Sequence, residues 1–347
     1  MIYSNTYIND LRLVQSAVPN IDKLNNSVVV VTGAGGLIGS AIVDFLLEIN
    51  DSRHLGISIY AGMRDFEKYR MRFGDRIHRI DLKFFNYDTQ KPVRLDTTVD
   101  YIIHAASPAN PRVYADSPVE TMLSIIQGTN GIFTFAQEHK VKNILFVSSG
   151  EIYGNGRGTE GYSEDDYGMI DILNPRACYP SAKRVAETLC AAYHKEYGIR
   201  SVIVRPGHIY GPTAVKQDNR AATSFFRDAV SGNKIVMKSP GVQKRSYCYV
   251  IDCISAIFAV LLNGKEAKAY NIAHRSLDLS IRELAGIIAD TAGVGIQYIM
   301  PSNDEKAGYN LMEHSCLDAS MLLETGWRPM FDTREGVRHT IDILMGL

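Results

Sequence analysis

Tyr179 and Lys183 stand four residues apart in Tyr179-Pro180-Ser181-Ala182-Lys183, opening a stretch that continues through Val185-Ala186-Glu187-Thr188-Leu189. Residues i and i+4 share a helix face, so this spacing puts a phenol one turn from an ammonium. A phenol with a pKa of about 10 is a poor base at neutral pH. A nearby positive charge favours the phenolate, which can then take a proton from a hydroxyl as hydride leaves the attached carbon. Spacing alone proves little, because Tyr87-Asp88-Thr89-Gln90-Lys91 repeats it and reads as accidental.

Position separates the two pairs. Tyr179 lies one strand-to-helix step beyond Ser148-Ser149-Gly150-Glu151, which follows the apolar run Ile144-Leu145-Phe146-Val147. If that run is a strand, Ser149 and Glu151 sit at its carboxyl edge, where open α/β sheets bind ligands. A serine hydroxyl there can hydrogen-bond a reacting hydroxyl.

A second device lies near the start. Val31-Thr32-Gly33-Ala34-Gly35-Gly36-Leu37-Ile38-Gly39 sits between a β-branched run and an amphipathic stretch. Glycines in such a turn let a pyrophosphate approach the backbone, and the following helix N-terminus offers free N–H groups. We expect Gly33, Gly36, Leu37, Ile38 and Gly39 to cradle a dinucleotide whose nicotinamide ring adds positive charge beside Tyr179. NAD is the expected cofactor. The second strand, Ile57-Ser58-Ile59-Tyr60-Ala61, ends in Gly62-Met63-Arg64 without the carboxylate usual for ribose hydroxyls. Arg64 could pair with a 2′-phosphate, which keeps NADP open. Asp88 could bind the adenine amine or cap a turn.

The elements that must hold these groups alternate in kind. Strands are expected over 28–31, 57–61, 82–87, 101–104, 144–147 and 201–204, with helical patterns from 41 and over 118–139. Strands alternating with helices imply βαβ units and a parallel sheet, hence a doubly wound α/β fold. After Arg205-Pro206-Gly207 the pattern becomes irregular, with helices over 221–231, 250–263 and 280–292 and strands near 234–238 and 269–273. We therefore divide the chain into an N-terminal arm (1–24), a dinucleotide-binding domain (25–206) and a smaller, partly interleaved substrate-binding part (207–347).

Composition narrows the partners. The 347 residues are 46% hydrophobic and carry a formal net charge of −1, so no global field exists to hold nucleic acid or an acidic membrane. No apolar run reaches the ~18–20 residues of a membrane helix. Met1-Ile2-Tyr3-Ser4-Asn5 lacks the basic flank and apolar core of a secretory signal. The five cysteines show no CxxC spacing, which argues against zinc and a disulfide framework. A cytoplasmic enzyme is the expectation.

Taken together, these motifs resemble the extended short-chain dehydrogenase/reductase family of NAD-dependent nucleotide-sugar epimerases, dehydratases and decarboxylases, with a Rossmann-type sheet. The likeness runs from about residue 26 to the C-terminus. It rests on the glycine loop, Ser149, the Tyr179–Lys183 pair, Arg245-Ser246-Tyr247-Cys248-Tyr249-Val250-Ile251-Asp252, and Gly326-Trp327-Arg328-Pro329 with Glu335-Gly336. Within the family it is most similar to UDP-glucuronate decarboxylases. Three stretches carry that: Ala105-Ala106-Ser107-Pro108-Ala109-Asn110-Pro111, Ser149-Gly150-Glu151-Ile152-Tyr153-Gly154, and Pro175-Arg176-Ala177-Cys178-Tyr179 continuing to Thr188.

The resemblance implies transient oxidation at C4 of a nucleotide sugar. Tyr179 would take the C4 hydroxyl proton, Lys183 and Ser149 would assist, and Glu151 would position the ring or handle a proton near C5. Ala105 and Ala106 would line the cofactor site. Ser107, His208 and Arg245 would contact substrate, Arg245 through its diphosphate. A homodimer joined through two helices per subunit is also implied. Gly207 and His208 stand where these decarboxylases carry an aromatic residue and Asn, and Glu313-His314-Ser315-Cys316-Leu317-Asp318 replaces a basic-Pro-Asp stretch. These departures leave open a substrate other than UDP-glucuronate with the C4 chemistry kept. Alternatives are a dTDP-glucose 4,6-dehydratase, against which Gly150 stands in the acid's place, a 4-epimerase, and an NADPH-dependent keto-sugar reductase favoured by Arg64. A non-catalytic NAD-binding regulator would leave the Tyr179–Lys183 pair without a use.

Overall fold

The computed structural model describes residues 3–108, 110–156, 161–273, 278–302, 312 and 314–347. Met1, Ile2, Ala109 and Glu313, which enter the motifs above, lie outside the described residues. Seven parallel strands form the central sheet: β1 (Val28–Thr32), β2 (Ser58–Met63), β3 (Leu82–Asn86), β4 (Tyr101–His104), β5 (Asn143–Val147), β6 (Ser201–Pro206) and β10 (Ala269–Ile272). Their order is β10-β6-β5-β4-β1-β2-β3, the doubly wound arrangement expected from the alternating pattern. The order reverses between β1 and β4, whose last partners are Thr32 and His104. A crevice therefore opens beyond those two strand ends.

The crossover helices include α2 (Leu37–Arg53), α5 (Pro118–His139), α6 (Cys178–Tyr197) and α8 (Val250–Asn263). β5 is buried at every position, as a central parallel strand must be. α8 is buried at every residue from Val250 to Leu262, mostly apolar, with Asp252 and Ser255 satisfied by Met330 and Phe331 N–H and by the Trp327 indole, and serves as core rather than as a surface helix.

Three short strands escape the sequence pattern. β7 (His208–Tyr210), β9 (Lys244–Tyr249) and β11 (Asp278–Ser280) form a small mixed sheet in which β7 and β9 run parallel and β11 antiparallel. The three residues of β7 and of β11 are too few for a periodicity to register, and β9, six residues long, is buried from Arg245 to Tyr249 and so shows no alternation. The strand expected near 269–273 in the smaller part is instead β10, paired with β6 in the large sheet. A short helix, α4 (Pro111–Asp116), also fills what reads as loop before α5.

The N-terminal arm carries α1 (Asn5–Leu13), with Tyr7, Leu11 and Val14 fully buried. It is tied down at one carboxylate. Asp44 of α2, wholly buried, accepts from Tyr3 Oη (3.0 Å) and Tyr7 Oη (2.9 Å) and pairs with Arg72. At the arm's other face Asp10 accepts from Tyr249 Oη and meets His339 Nδ1, both at 2.9 Å, joining the arm to the last helix, Thr333–Met345.

Candidate active site

The glycine turn is shaped by close approach. Gly33 has φ +70°, and a Cβ there would fall 2.7 Å from the Ala105 carbonyl oxygen. A Cβ on Gly39 would fall 2.2 Å from the Gly33 oxygen. The loop after β1 is thus pressed onto Ala105 and Ala106 after β4, with Ala106 N–H donating to Thr32 Oγ1 at 3.3 Å. At α2 the N-cap Gly36 has no side chain to cap with. The N–H groups of Leu37 and Ile38 therefore face the crevice as helix-terminal donors, a ready seat for a pyrophosphate. This backbone fits a dinucleotide.

Tyr179 and Lys183 occupy the first turn and a half of α6, both buried. Two ties set that helix on the strand ends. Arg205, at the end of β6, pairs with Glu187 at 2.7 Å, and Ser148 Oγ donates to the same carboxylate. Arg184 donates to the Ile152 carbonyl at 2.6 Å and to Gly168 at 2.7 Å, holding the turn that bears Glu151. Ser149 begins that turn, its Oγ accepting from Glu151 N–H.

Electrostatics differ here from the sequence expectation. Burial, followed by the Glu151 carboxylate, pushes Tyr179 up to about 12, while the Ser149 and Tyr114 hydroxyls and Arg220 favour its phenolate. Lys183 is not among its leading influences. Its Nζ donates to the Val147 carbonyl at 2.7 Å and lies 5.8 Å from the Tyr179 ring centre. Burial holds Lys183 down to about 7. The protein alone thus does not acidify the phenol, because desolvation outweighs the charges placed around it.

Three residues absent from the sequence expectation join the site. Arg176, buried, pairs with Glu151 at 3.1 Å. Tyr114 of α4 stacks on Tyr179, ring centres 4.5 Å apart and planes 16° apart, with the Arg176 guanidinium 4.8 Å from its ring centre. Arg220, paired with Asp218 at 2.5 Å, acts on both tyrosines. Arg176 stood inside a quoted motif but carried no pattern assigning it to Glu151. Tyr114 and Arg220 carry no local signal.

His208 and Arg245 face the same space. Burial, then Arg245 and Arg220, lowers His208 to about 3, so its imidazole is neutral, and its Nδ1 has no hydrogen-bond partner among the described residues. Arg245 is buried in β9 and donates to the Lys244 and Met312 carbonyls, so its fork is partly committed to backbone. A Cβ at Gly207 would lie 2.6 Å from the Ser246 oxygen, so the β7–β9 contact leaves no room for an aromatic side chain there. Ser107 lies half-buried beyond Ala106.

The remaining candidates sit at the rim. Arg64 is exposed, just past β2, with no ion pair among the described residues. Asp65 beside it caps α3 (Phe66–Phe73) by accepting from Glu67 and Lys68 N–H. Asp88 accepts from Gln90 N–H at 3.1 Å, the turn-capping role. Of the accidental pair, Tyr87 is buried while Lys91 is exposed beside Asp88. A depression of about 620 Å³ lies at the opposite edge of the sheet. Its Lys140, Lys142 and Arg200 lie near the carboxyl ends of α5 and α6, where cations offset the helix dipoles.

Comparison with known proteins agrees with this geometry. The model of the NAD dependent epimerase/dehydratase family matches residues 29–273. UDP-glucuronic acid decarboxylase 1 of Xenopus tropicalis is 28% identical over 316 residues, covering 90% of this chain and 71% of that protein. Among solved structures, a dTDP-glucose 4,6-dehydratase of Bacillus anthracis in complex with NAD superposes with a TM-score of 0.76 at 20% identity, covering 91% and 96% of the two chains. A UDP-glucuronic acid 4-epimerase of Bacillus cereus, with UDP-glucuronic acid and NAD, gives 0.75 at 20% identity, covering 91% and 98%.

Proposed function

This chain belongs to the NAD-dependent epimerase/dehydratase family, and we propose that it oxidises a nucleotide sugar transiently at C4 and uses the ketone to release carbon dioxide from C5. The observation that carries the reading is the convergence of Tyr179, Ser149 and Glu151. Glu151 is the strongest charge acting on Tyr179, and Ser149 is hydrogen-bonded into the same turn.

A nicotinamide dinucleotide seated on the Gly33–Gly39 turn and the N-terminus of α2 supplies a hydride acceptor and positive charge. Tyr179, as phenolate, accepts the C4 hydroxyl proton, and the Ser149 hydroxyl shares the hydrogen bond to that oxygen. Lys183, anchored on the Val147 carbonyl, fills the space behind the base. Arg176 orients Glu151 toward the ring. The 4-keto group so formed would stabilise the carbanion left when the C5 carboxylate departs as carbon dioxide; a proton delivered to C5, and return of the hydride and of the Tyr179 proton to C4, would restore the hydroxyl and the oxidised cofactor. Arg245 and His208 line the side of the site where substrate anions belong, with Ser107 opposite. We assign NAD as the cofactor, with Ala105, Ala106, Arg64 and Asp88 along its path.

Gly150 counts against dehydration, because a Cβ there would already lie 3.3 Å from Leu317 and 3.4 Å from the Pro206 oxygen. A side chain there would require Leu317 to give way, and the acid a dehydratase needs is absent from the position. The reading extends to a cytoplasmic homodimer joined through α5 and α6, whose Val119, Leu123 and Val185 are exposed apolar side chains. It also divides the chain near residue 206 into a cofactor half and a substrate half.

The test is product mass after incubation with NAD and UDP-glucuronate, dTDP-glucose or a UDP-hexose. Loss of carbon dioxide supports the reading. Loss of water, inversion at constant mass, or gain of two hydrogens replaces it with a dehydratase, an epimerase or a reductase. Tyr179→Phe should abolish turnover with dinucleotide binding intact, and substantial residual activity would remove Tyr179 from the mechanism.

A further inference from the structure

Tyr114 is a second phenol at the base, and nothing in the C4 chemistry above requires it. It is 3% exposed, held on the short helix α4 whose N-cap Asn110 accepts from Arg112 N–H and donates to the Gln217 carbonyl. Its ring lies 4.5 Å from that of Tyr179 and nearly parallel to it. Its hydroxyl donates to the Pro108 carbonyl at 3.3 Å, a long contact. We propose that Tyr114 is a positioning residue for Tyr179, its ring fixing the plane of the base and its hydroxyl turning from Pro108 to the phenolate oxygen whenever Tyr179 is ionised.

The inference rests on the reading of Tyr179 as the base. Its physical ground is that the charge on Tyr179 needs donors and Lys183 is turned to Val147. A hydroxyl rotor with two acceptors supplies one without a net change in the site. With Tyr179 neutral it serves the Pro108 carbonyl; with Tyr179 anionic it serves the stronger acceptor. When the substrate proton reaches the phenolate, the rotor returns. No proton leaves Tyr114, and its own ionisation is strongly disfavoured by burial. The Arg176 guanidinium, 4.8 Å from the Tyr114 ring centre and 3.1 Å from Glu151, ties the stack to the other acid–base group.

Tyr114→Phe keeps the ring and removes only the rotor. In the NAD-loaded enzyme, the limb of kcat/KM that rises as Tyr179 ionises should move up by about one pH unit, tenfold in rate at a fixed pH on that limb. KM and the dinucleotide Kd should stay within about twofold, since truncating an interaction made only with the ionised base spares binding. Ultraviolet difference titration should show the phenolate signal that Tyr179→Phe lacks moving by the same amount in Tyr114→Phe. Unmoved profiles and titration in Tyr114→Phe would leave Tyr114 as packing alone and overturn the inference. Full activity in Tyr179→Phe would instead overturn the underlying reading, so the two failures are distinguishable.

Discussion

Lys183→Met exchanges a buried amine for a thioether of similar length and exposes the balance that burial imposes on this site. Among the described residues no carboxylate pairs with the amine, and burial lowers it from the ordinary lysine value of 10.5 to about 7. Between those values the unfolded chain holds a proton that the folded chain has released. Wild-type stability therefore rises with pH from about 7 to about 10.5 and is flat below and above. The full span of that dependence is about 5 kcal/mol, from ~1.4 kcal/mol per pH unit. The methionine variant lacks it and forfeits the hydrogen bond to the Val147 carbonyl, worth about 1 kcal/mol, and the amine's contact with the Phe146 ring. The variant should thus be the more stable protein near neutrality, and wild type should gain on it by roughly 3 kcal/mol from about pH 7 to about pH 9.5. Urea unfolding of both proteins across that window, without dinucleotide, measures the gap. A constant gap would mean that the amine keeps its proton in the fold and that the burial argument fails.

Gly33→Ala should cost about 2–4 kcal/mol, summing a left-handed backbone with a Cβ forced onto the Ala105 carbonyl, and should abolish dinucleotide binding; wild-type stability and affinity would contradict the packing described. Asp44→Asn leaves the buried Arg72 guanidinium without its charge partner and should destabilise by about 3–5 kcal/mol, with the arm becoming the first site of proteolysis; denaturant unfolding and limited digestion report both. Arg64→Ala should weaken NADP binding about tenfold and leave NAD binding unchanged; equal effects on the two cofactors would take Arg64 out of cofactor selection.

Much of the local structure could be read directly. The glycine turn, the buried strands and α8 are short-range consequences of residue type: β-branched runs where both faces are covered, glycines where backbones meet, a mostly apolar stretch where a helix is core. The helices over 118–139 and 250–263 were legible to the residue. β7, β9 and β11 were not, because their stability comes from pairing partners tens of residues away. The Tyr179–Lys183 pair was visible from spacing, yet its electrostatics were not. The count of charges near a phenol says nothing of how much water the fold removes, and here desolvation dominates.

By itself, then, the chain's order of residues determined the sheet, the glycine turn and the helix bearing Tyr179, since each depends on neighbours within a turn or a strand. Only tertiary structure decided that Arg176 grips Glu151, that Tyr114 lies flat on Tyr179 and that Lys183 turns to a carbonyl. Those contacts join segments separated by 25, 65 and 36 positions. No periodicity links residues that far apart; packing of the strand ends brings them together.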